Sequence, residues 1–300
     1  MHSPKKLYIG VLIAILFSGM CSAQQTNTEI WLFRLKKNKN TYVPENGINI
    51  TANPLYDNQP FFLPDNKTIL FSSQRDSSKQ TDIYSYSINK KTINRILETN
   101  ESEYSPMLVP NSSTFSCVVV EKDSTQRIWQ YELFKDSKKN LKGKFKSIVC
   151  EGIDSIGYYR FLNSDTLIYY KLTSPHSLRV VSLSTGVDNW ICEHPSRSML
   201  KDQNQGFYYS MITESNHELR QYDIRKKKSQ KITELEKDNL DFQFVNALGI
   251  LKSQGNALWI YNSQQKRWNE WFRFTNPGIG KITRFVFSSD MKYLAVVGNN

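Results

Sequence analysis

Residues 61–73 read FFLPDNKTILFSS: an apolar run, a tight polar turn at Pro64–Lys67, and a second apolar run. Asp82–Ile88 (DIYSYSI) adds an alternating run, and after Asn89-Lys90-Lys91 comes a fourth, TINRILE at Thr92–Glu98. β-Branched and aromatic runs separated by Pro, Asp and Asn are strand–turn–strand signals, so this segment predicts one four-stranded antiparallel sheet. The unit recurs. Runs like DIYSYSI begin at Glu29 (EIWLFRL), Arg127 (RIWQYEL), Leu178 (LRVVSLS), Glu218 (ELRQYDI) and Ala257 (ALWIYNS). Including Asp82, successive starts are 53, 45, 51, 40 and 39 residues apart. Runs like residues 61–73 begin at Met107, Arg160, Met199, Phe242 and Phe285.

Four strands repeating every 40–50 residues or so are the pattern of a propeller blade. A helical solenoid is excluded, because the runs alternate or are continuously apolar and no long helical period occurs. The ends set the count. The last repeat stops at Gly298-Asn299-Asn300 after two strands, while the chain opens with a third-strand run at Glu29 and a fourth near Thr41–Val43. Joined, the two halves make one blade. The expectation is an all-β, six-bladed propeller closed by terminal half-blades, blade six being shared between about 28–47 and 282–298. Closure removes the exposed edges of an open array. The complementary ends also predict a complete chain.

Composition agrees. With 39% hydrophobic and 22% charged residues, the 300-residue chain has material for a core and is no disordered tail. Sixteen Tyr, sixteen Phe and six Trp favour strands. Lys5 and Lys6, the apolar stretch Leu7–Phe17 and the small-x-small ending Cys21–Ala23 read as a secretory signal over residues 1–23. The propeller then occupies 24–300 as a single domain in the periplasm or outside the cell. Lipidation at Cys21 is the minority alternative, since Met20 is large for that processing. Cys117, Cys150 and Cys192 remain, each in an apolar run, and read as buried small hydrophobes.

At Pro60–Tyr84 the run PFFLPDNKTILFSSQRDSSKQTDIY resembles the TolB-like family of WD-type propeller repeats. Pro64–Lys67 fills the family's S-P-D-G-K-like turn, Ser73-Gln74-Arg75 its S-x-R, and Asp82-Ile83-Tyr84 its third strand. Phe285–Val297 looks like a second copy, with Asp290-Met291-Lys292 in the turn. The resemblance implies a six-bladed propeller exported in bacteria and used as a platform for other macromolecules. No counterpart of the separate N-terminal α/β domain of TolB itself is expected, because Gln24–Thr28 alone separates the signal from the first strand. Asp65, Asp290 and Asn66 suit turn geometry, and Asp82 suits loop anchoring.

For chemistry the chain offers little. His176 and His217 are expected between second and third strands and His194 after a fourth, so all three fall on one face. Surface histidines outweigh a metal site, and GxSxG, HExxH and P-loop motifs are absent. No catalytic residue, metal or cofactor is expected. Charge says more. The chain carries a formal +11. Its lysines cluster at Lys36-Lys37-Asn38-Lys39, Lys90-Lys91, Lys138-Lys139 (with Lys142, Lys144 and Lys146) and Arg225-Lys226-Lys227-Lys228. All four clusters are placed in third-to-fourth-strand turns, forming a basic rim opposite the histidines. Solubilising the blade edges is the first reading of this rim; attraction to an anionic polymer or lipid surface is the second. Most of the six Trp are expected to pack between blades; of Trp268 and Trp271, on opposite sides of one strand, at most one could bind a ligand. The expected function is a non-enzymatic, monomeric interaction scaffold for another envelope or secreted protein. Its binding face is expected around the His176 and His217 loops, and export disfavours nucleic acid. The alternatives are a polysaccharide lyase or hydrolase with a metal among the histidine loops, and a ligand-sensing propeller.

Overall fold

A computed structural model describes residues 27–39, 41–76, 78–202, 206–214, 216–236 and 241–299; the signal-like stretch and Cys21 lie outside them. Among the described residues twenty-four strands form six four-stranded antiparallel sheets. Blade one is Asp57–Phe62, Thr68–Ser73, Asp82–Ser87 and Thr92–Arg95, from innermost to outermost. Blades two to five repeat this order, their innermost strands being Ser102–Leu108, Ile156–Phe161, Pro195–Lys201 and Phe242–Val245. In blade six, Lys281–Phe287 and Tyr293–Asn299 from the end of the chain are completed by Glu29–Asn38 and Thr41–Asn49 from its beginning. The seam is a regular ladder from Glu29 opposite Gly298 to Arg34 opposite Tyr293.

The core consists of six apolar layers, one between each pair of neighbouring blades. Leu70 and Ile83 of blade one meet Phe115, Cys117 and Val119 of blade two. Val118, on the other face of the same strand, meets Ile156 and Leu167 of blade three. Second strands are therefore buried on both faces, which is why TFSCVVV and YLAVV are largely apolar at successive positions where outer strands alternate. The three cysteines are buried and reduced, burial pushing the thiols of Cys150 and Cys192 up to about 12. Trp268 packs between blades four and five and Trp271 between blades five and six, on opposite faces of their strand. Trp190 departs from the packing expectation and is 55% exposed on the outermost strand of blade three.

Candidate functional site: a cationic cavity at the centre of the ring

The six innermost strands surround the ring's axis, and five of them break register with their neighbours. The irregularities lie between Asn58 and Phe61, Tyr104 and Met107, Ile156 and Tyr158, Pro195 and Met199, and Ile282 and Arg284. A bulge inserts a residue, bends the strand and re-aims its side chains. In blades one and two the extra residues, Gln59 and Ser105, take left-handed backbone angles. The Gln59 side-chain carbonyl accepts from the Ser72 hydroxyl at 2.8 Å and from the Ser105 amide at 2.6 Å, tying the two bulges together.

The strands enclose a cavity of about 440 Å³ whose charged lining residues, among those described, are Arg160, Arg197, Arg284 and Asp241. Arg197 sits inside the blade-four bulge and Arg284 directly follows that of blade six. The Arg197 guanidinium donates to the Thr283 carbonyl. The Arg284 guanidinium lies 5.4 Å from the centroid of the Tyr158 ring, a cation–π contact. Asp241 is buried, one oxygen accepting from the Ser198 hydroxyl at 2.8 Å and the other from the Phe285 amide at 3.0 Å. Burial holds the pKa of Arg160 below the usual guanidinium range. It does the same to Arg197, where Arg284 adds repulsion. At Asp241 burial pushes the carboxyl up against the opposing pull of Arg284 and Arg197. The Nε–H groups of Arg197 and Arg284 are buried with no hydrogen-bond acceptor among the described residues.

The cavity opens toward the first-to-second-strand turns, since Leu63, Pro64, Asn66 and Ser289 line it. Third-to-fourth-strand turns lie on that same face: Thr68 pairs with Ser87, and the Ile88 amide donates to the Lys67 carbonyl at 2.9 Å. Lysines occupy these turns in a regular way. Lys39, Lys91, Lys139, Lys227 and Lys266 all take left-handed backbone angles, while blade three has Gly186 at the corresponding place. Lys36 and Lys37 are at the end of the strand preceding Lys39, Lys228 starts the strand after Lys227, and Lys90 and Lys226 are within the turns. All are exposed; Lys36 lies 3.6 Å from Glu45 and Lys226 3.6 Å from Asp223. Lys142, Lys144 and Lys146 fall outside the turn, in the outermost strand Leu141–Ile148 of blade two.

The histidines are on the opposite face. His176 is exposed beside Tyr170, with ring centroids 5.2 Å apart. His194, also exposed, links two blades: its amide donates to the His176 carbonyl and its carbonyl accepts from the Ile212 amide. His217 is the first residue of its strand and is buried. Among the described residues no three His, Cys, Asp or Glu side chains are grouped closely enough to hold a metal ion. The turn residues do structural work. Asp65 accepts from the Lys67 and Thr68 amides, Asp290 from Ser288 and Lys292, and Asp82 from Arg95 and Gln80.

The arginine cluster and Lys266 escaped the sequence reading. A signal was present: where blades one and two have Phe61 and Met107, the aligned first strand of blade three has Arg160. The bulges hid Arg197 and Arg284: one extra residue before Arg284 reverses which side chains face the axis, and Arg197 lies inside a two-residue insertion that takes it out of the ladder.

No protein-family model and no curated protein sequence matches the chain. Solved structures do match it in shape. A putative TolB from Agrobacterium tumefaciens superposes with a TM-score of 0.65 at 9% identity, over 91% of this chain and 98% of that one. A chain of the nidogen/laminin complex gives 0.57 at 9% identity, over 90% and 98%. An oligogalacturonate lyase in complex with manganese gives 0.52 at 10% identity, over 85% and 80%. The chain thus has the TolB-like six-bladed propeller fold, one that serves both binding proteins and enzymes.

Proposed function

We propose that this chain is an exported, non-enzymatic propeller that binds another envelope or secreted macromolecule through the face on which the central cavity opens. The observation that carries this reading is the joint placement, on one face, of a cavity holding three arginines and of left-handed lysine turns at the outer rim. A face with this charge attracts a partner presenting acidic groups and orients it before contact. The signal-like N-terminus supports export. The histidine face, by contrast, offers two exposed rings and a buried one.

The experiment is capture of the mature protein's partner from cross-linked native envelope, washed at low and high salt. A triple variant, Lys91→Glu, Lys139→Glu and Lys227→Glu, runs in parallel. One defined partner held by the parent at high salt and lost by the variant is the expected result. Equal capture by both overturns the assignment of the face. An enzyme acting on an acidic polysaccharide would also suit a cationic cavity. Metal analysis of the purified protein addresses that alternative, because stoichiometric, tightly bound metal would overturn the non-enzymatic reading.

A further inference from the structure

We infer that the central cavity is a binding site for a small organic anion carrying at least two negative charges, gripped by Arg160, Arg197 and Arg284. The inference rests on the same cavity as the docking reading above, and the two can fail separately. Charge comes first. Among the described residues three guanidinium groups face one carboxylate, and both oxygens of Asp241 are already engaged by Ser198 and the Phe285 amide. Like charges held this close in a partly dry space are costly unless an anion compensates them. Donor capacity comes next. Each guanidinium offers five N–H groups in a planar fork. Arg197 uses one nitrogen on Thr283, Arg284 has a ring beneath it, and Arg160 has no close ion-pair or hydrogen-bond partner among the described residues. Such forks match carboxylate and phosphate oxygens in pairs.

The size and walls of the cavity specify the rest of the ligand. About 440 Å³ exceeds what a bare inorganic ion fills and lies in the range of small-molecule sites. Phe61, Met107, Tyr158 and Phe285 supply apolar lining for an organic body. The arginines come from three different blades, on strands fixed by their ladders, so the site is organised before the ligand arrives. A small anion here leaves the lysine turns free for the macromolecular partner.

The test is calorimetric titration and thermal melting of the purified mature protein with citrate, glucose 6-phosphate and acetate at matched ionic strength. Saturable binding of citrate or glucose 6-phosphate at one site per chain, with none of acetate, is expected; which probe binds separates polycarboxylate from phosphate chemistry. Arg160→Gln and Arg284→Gln should each weaken binding roughly tenfold or more, as the loss of a charge-assisted contact does. Without anion these variants should melt no lower than the parent, since one of three crowded cations is gone, and Lys122→Gln, exposed in the second-to-third-strand turn of blade two on the opposite face, should bind like the parent. A measurement on the unaltered protein stands beside them: phenylglyoxal labelling of Arg160, Arg197 and Arg284 should fall when the bound probe is present. Identical responses to all three anions, or unchanged labelling, would overturn the site. Anion binding without partner capture overturns the docking reading alone; partner capture without anion binding overturns this inference alone.

Discussion

Single buried carboxyls tune this protein's response to pH. Glu103 is fully buried; the Thr99 hydroxyl donates to one oxygen, and the other has no partner among the described residues. Burial pushes its pKa from 4.5 to about 8. Asp57 is pushed to about 6 even though Ser73, at 2.6 Å, and Asn53, at 3.0 Å, donate to it. A raised carboxyl is protonated in the folded chain while already ionised in the unfolded one. Glu103's destabilising effect is therefore absent below about pH 4.5, grows as pH rises, and levels off above about pH 8. Glu103→Gln keeps the shape and removes the ionisation. At pH 7 the variant should be more stable by up to roughly 3 kcal/mol, with a flatter pH dependence. Urea denaturation of both proteins at pH 5, 7 and 8.5 checks this, and parallel pH profiles would refute it.

Two kinds of element set the site: inner-strand bulges and lysine-bearing turns. The blade-one bulge is held by Gln59, whose carbonyl serves both Ser72 and the amide of Ser105 in the next blade. Gln59→Leu should cost about 1–3 kcal/mol by leaving that amide without its acceptor. Hydrogen exchange at Ser105 should quicken, whereas unchanged protection would show that the bulges are independent. In the turns, left-handed angles favour glycine, and a side chain there costs on the order of 1 kcal/mol. Five blades nevertheless carry lysine. Lys91→Gly and Lys227→Gly should each stabilise the fold by up to about 1 kcal/mol while lowering the salt at which the protein leaves an anionic resin. Gain in melting temperature without earlier elution would mean that the lysines contribute nothing to the charge of that face.

Across the whole molecule, stability depends on closing the ring. The strand Glu29–Asn38 covers the edge of Tyr293–Asn299, and Ile30, with no exposed surface, packs into the layer between blades six and one. Ile30→Ala should cost about 2–5 kcal/mol, the usual range for emptying a buried aliphatic site. A chain beginning at residue 51 would lose both outer strands of blade six and bare a long, apolar edge, which invites pairing between molecules. Light scattering after size exclusion should find it aggregated where the parent is not; a monomeric truncated chain would show that closure is dispensable.

The repeat, the six blades and their closure were legible because they depend on local order: which residues alternate, where turns fall, and how far apart the units recur. Thr41–Val43 and Phe285–Val297 fell into the shared blade from pattern alone. The structural duties of Asp65, Asp82 and Asp290 were equally local. Arg160, Arg197 and Arg284 stand far apart in the chain on unlike local motifs, and they converge because innermost strands of different blades share one axis. Their orientation follows from irregularities in the inner strands: one extra residue reverses the two-residue period before Arg160 and Arg284, and two extra residues lift Arg197 out of its ladder. The sequence by itself determined a six-bladed ring with lysines on one face, because strand period and turn chemistry act between neighbours. Which arginines meet, which carboxyl lies among them, and on which face their cavity opens were decided by tertiary structure alone, because closing the ring brings distant strands around a common axis.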